Sequence, residues 1–132
     1  MILQSEKAKS LILEIFSKLS VNNQVAQLCA EGLIQTSLRG IDTHGIRLVP
    51  HYVTAIESGR LNPKPNLKFK KTSLTTGILD ADHTLGYAAG VIAIQHAIKL
   101  DDTRPVFYRS LGSILQHLGQ LQESINAYQR VL

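Results

Sequence analysis

Apolar residues at helical spacing set the limits on what this chain can fold into. Ala8, Leu11, Ile12, Ile15, Phe16 and Leu19 recur at i, i+3, i+4 and i+7, so residues 5 to 19 can bury a continuous stripe only as an α-helix. A second helix starts after Ser20 or Asn22 as N-cap, carries Val25, Leu28, Cys29 and Leu33 on one stripe, and ends near Gly40, which lacks the Cβ that penalises a left-handed residue. Cys29 falls within that stripe, so it is expected in the core. A third helix covers roughly 44 to 58 and stops at Gly59. Pro50 has no N–H and a fixed φ, so this helix either begins near 50 or bends there.

The pattern breaks at GRLNPKPNLKFKKTSLTT, residues 59 to 76, where two X-Pro steps favour extended backbone. Leu67, Phe69 and Lys71 alternate with Lys68 and Lys70, and Ile78 and Leu79 follow, which predicts one β-hairpin or a pair of short strands. Arg60, Lys64, Lys68, Lys70 and Lys71 lie close together with no acid among them. A phosphate or cofactor contact is one use for such a run, but a strand edge blunted by solvated lysines is the reading we favour. Helical character returns in GYAAGVIAIQHAIKL from Gly86. The tail then reads as two helices joined near Gly119, with Tyr108, Leu111, Leu115 and Leu118 on the first and Leu121, Ile125, Tyr128 and Leu132 on the second.

These elements predict a mainly α protein with a small β element (α+β). A three-helix N-terminal cluster is followed by a short strand or hairpin, a further helix and a C-terminal helical hairpin. At 132 residues and 44% hydrophobic content, the chain suits one ordinary domain or two small units sharing a core. The net charge of +4 comes with 18% charged residues and only Phe69 inside the most basic stretch, which is poor material for a nucleic-acid surface. A lone cysteine allows no internal disulfide, and no Cys or His pairs stand at zinc spacing, so no metal site is expected. The N-terminal apolar run is broken by Glu6, Lys7 and Lys9, and no stretch reaches the roughly 18 apolar residues of a spanning helix. No membrane contact is expected, and a reducing cytoplasm fits.

The tail carries a specific pattern. Tyr108-x2-Leu111-Gly112-x2-Leu115 followed by Ser124-x3-Tyr128 resembles a single tetratricopeptide repeat over residues 104 to 132. Tyr stands for Trp, Leu for the first Tyr, Ser for Ala and Tyr for Phe. In such a hairpin, Gly112 and the small Ser124 let the helices approach while larger residues fill the space between them. AIKLDDTRP resembles the end of a preceding repeat.

A longer resemblance covers residues about 5 to 100. SLRGIDTHGIRLVPHYVTAIESGRLNPKPNLKF followed by GILDADHTLGYAAGVIAIQHAI contains four ordered motifs: Leu38 to Gly45, Pro50 to Tyr52, Gly59 to Pro63 and Asp80 to Gly86. In order and spacing they are similar to the N-terminal region of the malate, L-lactate, sulfolactate and ureidoglycolate dehydrogenases, NAD(P)-dependent 2-hydroxyacid dehydrogenases without a Rossmann fold. The resemblance implies that His44 faces the substrate as a catalytic residue and that Tyr52, the aromatic eight positions later, is a substrate-binding residue. It also implies an arginine for the substrate carboxylate, where a planar two-pronged cation matches two oxygens. In many members that arginine lies four residues after the histidine. Here Leu48 holds that place and Arg47 precedes it, an offset of about 100° on a regular helix that a loop before Pro50 can absorb. His51, His83, His96 and His117 have no such context and are expected at surface or interhelical positions.

The resemblance implies NAD or NADP as cofactor, yet the family continues past the equivalent of residue 100 into an Asn-His-Phe-Gly segment, a lysine and the nicotinamide-binding domain, none of which follows here. Residues 1 to 100 therefore read as the N-terminal region of a 2-hydroxyacid dehydrogenase cut before its cofactor core, and 101 to 132 as a tetratricopeptide-like hairpin. Three functions stay open. The chain is a dehydrogenase part, acting on a small 2-hydroxy acid only with its missing portion supplied. It is alternatively a helical interaction module that associates with itself or with a partner helix through the hairpin. Otherwise it is a truncated or rearranged gene product.

Overall fold

A computed structural model describes residues 4–117 and 119–131, apart from the His117 side chain; the expectations for His117, Leu118 and Leu132 lie outside the described residues. The elements follow the expected order: α1 (Ser5–Lys18), α2 (Asn23–Leu38), two single 3₁₀ turns (Asp42–His44 and Ile46–Leu48), α3 (Val49–Glu57), β1 (Lys68–Lys71), β2 (Gly77–Asp80), α4 (Gly86–Leu100), α5 (Pro105–His117) and α6 (Leu121–Gln129). The protein is thus mainly α with one two-stranded antiparallel sheet.

Local chemistry explains the boundaries. Asn22 caps α2, its side-chain oxygen accepting the N–H groups of Gln24 and Val25 at 3.0 and 3.3 Å, two of the donors every helix start leaves without an intrahelical acceptor. Gly40 and Gly59 follow α2 and α3 with φ of +79° and +73°, the left-handed backbone that a Cβ disfavours. Pro50 lies in the first turn of α3, where its missing N–H costs no hydrogen bond. The helix expected from 44 therefore begins at Val49, and the preceding residues tighten into 3₁₀ turns.

The core lies between α1, α2, α3 and the start of α4. Ala8, Ile12 and Phe16 of α1 meet Val25, Ala26, Cys29, Ala30, Leu33 and Ile34 of α2, with Val49, Leu85 and Ala88 closing the cluster. Leu11, expected on the buried stripe, is 52% exposed: burial in α1 is confined to the row i, i+4, i+8 that faces α2. Lys9 pairs with Glu31 across the α1–α2 contact. Where α4 crosses α2, a Cβ on Gly32 would come within 2.5 Å of the Tyr87 ring, so glycine is what allows that ring its seat.

In the hairpin, Phe69 pairs with Leu79 and Lys68 with Asp80. Phe69 turns toward α4 and stacks on His96, centroids 4.3 Å apart and planes 8° from parallel, while Lys68, Lys70 and Lys71 stay exposed, as a blunted edge requires. His96 is thereby half-buried against an aromatic ring.

The tail forms the expected helical hairpin, α5 packing on α4 and α6 on α5. Ser124 is buried and its Oγ donates to Gly112 O at 2.7 Å, and a Cβ on Gly112 would come 2.8 Å from the Tyr128 ring. Arg130 Nη1 donates to Tyr108 Oη at 2.8 Å. The second stripe needs correction. Ser124 and Ala127 form the buried face of α6, while Leu121, Ile125 and Tyr128 are 63%, 49% and 37% exposed. With Arg109 and Val131, Ile125 and Tyr128 border an open, apolar groove of about 500 Å³.

Candidate active site

The His44 segment is shaped by the last turn of α2. After Gly40, Ile41 N–H donates to Thr36 O at 3.2 Å and Ile46 N–H donates to Ser37 Oγ at 2.9 Å, so both ends of the turn are tied to consecutive α2 residues. Between these ties His44 N–H donates to Ile41 O at 3.1 Å and Gly45 N–H to Asp42 O at 3.0 Å. Gly45 is buried, with φ −104° and ψ −136°, and the packing around it leaves no room for a side chain. A Cβ there would fall 2.1 Å from Ser37 Oγ and 2.9 Å from Ser37 N.

His44 is exposed, with its Nδ1 3.1 Å from Thr43 Oγ1. Arg47 is exposed in the next 3₁₀ turn, whereas Leu48 packs half-buried against the core. In this turn Leu48, four residues after His44, faces inward, and Arg47 before it faces solvent. Tyr52 is half-buried in α3 against the core cluster; burial raises its phenol pKa, and the neighbouring Cys29 adds to the rise. His44 and Arg47 thus present their side chains to solvent, while Tyr52 is held by the core. The adjacent His51 takes a different partner, its Nε2 lying 3.0 Å from Arg60 Nη2. Arg39 is also engaged, donating from Nη2 to Gln116 O at 3.2 Å and linking α2 to α5.

Two of the four motifs form a brace. Asp82 Oδ2 accepts Asn62 Nδ2 at 2.9 Å and Asn66 N–H at 2.8 Å, its own N–H donates to Asp80 Oδ1 at 3.0 Å, and Asn62 N–H donates to His83 O at 3.0 Å. Asp82 and His83 have φ of +47° and +55°, a left-handed bend held by these bonds. The Asn62-Pro63 and Asp80-Ala81-Asp82 segments therefore close the loop between α3 and α4.

Ser37 and Thr43 were missed as site residues by sequence reasoning. Both lie within or beside the quoted motif, but a contact to a residue nine positions away carries no periodic signal.

Two clefts beside α4 do not fit a nicotinamide dinucleotide. One of about 260 Å³ lies between Phe69, Gly77 and Leu79 of the hairpin and Ala93, Ala97 and Leu100 of α4. Another, about 300 Å³, lies between Gly86, Tyr87 and Gly90 of α4 and Ile114 of α5. Both sit at the lower end of the range for small-molecule sites, are lined by no cation that could meet a diphosphate, and do not include His44. Among the described residues no group of three His, Cys, Asp or Glu side chains is placed to hold a metal ion, and no helix is long and apolar enough to cross a membrane.

A sequence model of the family described as malate/L-lactate dehydrogenase matches residues 3–113, running past residue 100 into α5. L-sulfolactate dehydrogenase of Methanocaldococcus jannaschii is 38% identical over 99 residues, covering 75% of this chain and 29% of that protein. Malate dehydrogenase of Pyrococcus horikoshii is 31% identical over 90 residues, 68% of this chain and 25% of its own length. The solved structure of the Methanocaldococcus enzyme superposes with a TM-score of 0.73 at 37% identity, covering 77% of this chain and 30% of that one. That of the Pyrococcus enzyme gives 0.72 at 27% identity, over 77% and 29%. The chain therefore spans less than a third of the length of the curated relatives it matches. With a family match over most of its length and the His44-Gly45 turn built into its fold, this chain belongs to the malate/L-lactate dehydrogenase family.

Proposed function

We propose that this chain supplies the substrate-facing part of an NAD(P)-dependent dehydrogenase that interconverts a small 2-hydroxy acid of malate or lactate type and its 2-oxo acid, and that it is inactive by itself. The observation that carries this reading is the His44 turn: an exposed imidazole on a short segment tied at both ends to α2, inside the family's longest motif. In that role His44 hydrogen-bonds the substrate oxygen at C2 and takes or returns its proton, the work for which an imidazole is suited near neutral pH. Arg47 pairs with the carboxylate, and Tyr52 closes the apolar side of the site from α3. NAD or NADP is held by the portion of the enzyme these residues do not contain. The reading divides the chain near residue 100 and places it in the cytoplasm.

The test is titration of the protein with sodium oxamate, a 2-oxo carboxylate isostere, followed through the Gly45 and Ile46 amide resonances by NMR, beside turnover assays with NAD+ or NADP+. We expect saturable shifts that are lost in His44→Ala and Arg47→Ala, with no turnover of malate, lactate or ureidoglycolate by the chain alone. An oxamate response that is absent, or that both variants retain, refutes the reading.

A second reading has its own observation. The Ser124–Gly112 contact and the exposed Leu121, Ile125 and Tyr128 favour α5 and α6 as a tetratricopeptide-type hairpin whose apolar side receives a partner helix or a second copy of the chain. Light scattering separates the two outcomes: self-association abolished by Ile125→Glu supports this use, and a monomer at high concentration that binds no amphipathic helix removes it.

A further inference from the structure

We propose that the Ser37 hydroxyl is the positioning group of the His44 turn, an inference that rests on His44 being the substrate-facing residue. Among the described residues the His44 side chain has one hydrogen-bond contact, to Thr43 beside it, so the region its ring can reach is set by its backbone. That backbone is fixed from outside the turn at two points, Ile41 N–H on Thr36 O and Ile46 N–H on Ser37 Oγ. The first is a main-chain bond available to any residue at position 36. The second depends on a side chain, and only an oxygen at the γ position of residue 37 reaches it. Ser37 Oγ caps the 3₁₀ turn that begins at Ile46, accepting a donor that the turn's start leaves without a partner, as a helix N-cap does.

The same oxygen explains why position 45 is glycine. It occupies the place of a Cβ at 2.1 Å, so residues 37 and 45 are one fitted pair: the hydroxyl needs the missing Cβ to enter, and the turn needs the hydroxyl to hold its register. Ser37 touches the turn, not the substrate, so it is a positioning residue. Removing Oγ frees the Ile46 amide and lets the segment from Asp42 to Gly45 pivot on its Ile41 tie, carrying the imidazole with it.

The experiment compares wild type, Ser37→Ala and Ser37→Thr, which keeps a γ-oxygen, in two measurements. In ligand-free protein, Ser37→Ala is expected to speed Ile46 amide exchange about tenfold and to shift the His44 ring resonances, with Ser37→Thr restoring both. A merely structural serine would lower the unfolding midpoint without moving the His44 ring. With oxamate, Ser37→Ala is expected to weaken the His44-dependent response about tenfold, the scale of one hydrogen bond, and Ser37→Thr to recover most of it. His44 ring resonances unchanged in Ser37→Ala overturn the inference, as does an oxamate response that needs His44 but is equal in Ser37→Ala. If wild type does not respond to oxamate, the proposed function fails instead, and the ligand-free comparison alone decides whether Ser37 positions the turn.

Discussion

Cys29 offers a measurement of how dry the core is. Its side chain is 1% exposed, and burial pushes its thiol up to about 12 from an ordinary value of 9.0, with the Ala88 backbone N–H opposing part of that rise. The charged form is the one burial disfavours, so the folded state binds the thiol proton more tightly than the unfolded chain does. The resulting stability is fully present below the ordinary thiol value and is lost as the pH climbs through 9 toward 12. Linkage between those two values puts the loss at under about 1 kcal/mol at pH 9, about 1 kcal/mol at pH 10 and about 3 kcal/mol at pH 11. Cys29→Ala serves as the reference, because tyrosines and lysines titrate in both proteins and largely cancel. Urea denaturation of the pair at pH 7, 9, 10 and 11 should show wild type losing its advantage over Cys29→Ala by these amounts. Parallel curves across that range would mean that water reaches the thiol, and the packing of α2 against α4 described above would be wrong.

Two further substitutions test the helix contacts. Gly32→Ala gains about 1 kcal/mol of helix propensity but drives a Cβ into the Tyr87 ring, an overlap worth about 1–3 kcal/mol, so a net loss of about 1 kcal/mol is expected. In a Tyr87→Ala background the same change should instead stabilise by about 1 kcal/mol in urea titrations; a stabilising effect in both backgrounds would show that the ring does not rest on Gly32. Ser124→Leu should detach α6 from α5 at a cost of about 3 kcal/mol, seen as protease cleavage within residues 119–131 while α1 and α2 keep their amide protection. Ser124→Ala should stay within about 1 kcal/mol of wild type, and equal effects of the two would remove the close α5–α6 approach.

Several parts of this molecule could be read along the chain because the forces that set them are local. Asn22 caps its helix through neighbours two and three residues on, Gly40 and Gly59 follow their helices with left-handed φ, and Pro50 marks a helix start by lacking an N–H. The alternation of Leu67, Phe69 and Lys71 with Lys68 and Lys70 marks the hairpin for the same reason, since side chains of a strand point to opposite faces. The His44-Gly45 motif was legible as a motif, though the physical demand behind its glycine was not, because the atom that excludes a Cβ belongs to Ser37 on another element.

Sequence alone determined the mainly α class, the order of the elements and the segment carrying His44, because periodicity and turn chemistry act over a few residues. Tertiary structure decided which stripe of each helix is used. Leu121, Ile125 and Tyr128 recur at helical spacing as well as any core row, yet the face of α6 against α5 belongs to Ser124 and Ala127, because the Gly112 backbone admits only small residues there. It also decided that Leu48 packs inward while Arg47 reaches solvent, that Asp82 joins Asn62 and Asn66 across twenty and sixteen positions, and that His96 lies on Phe69. Each of these depends on which surface arrives opposite, and a helix with two plausible faces settles on one only when its neighbour's shape makes the other cost packing.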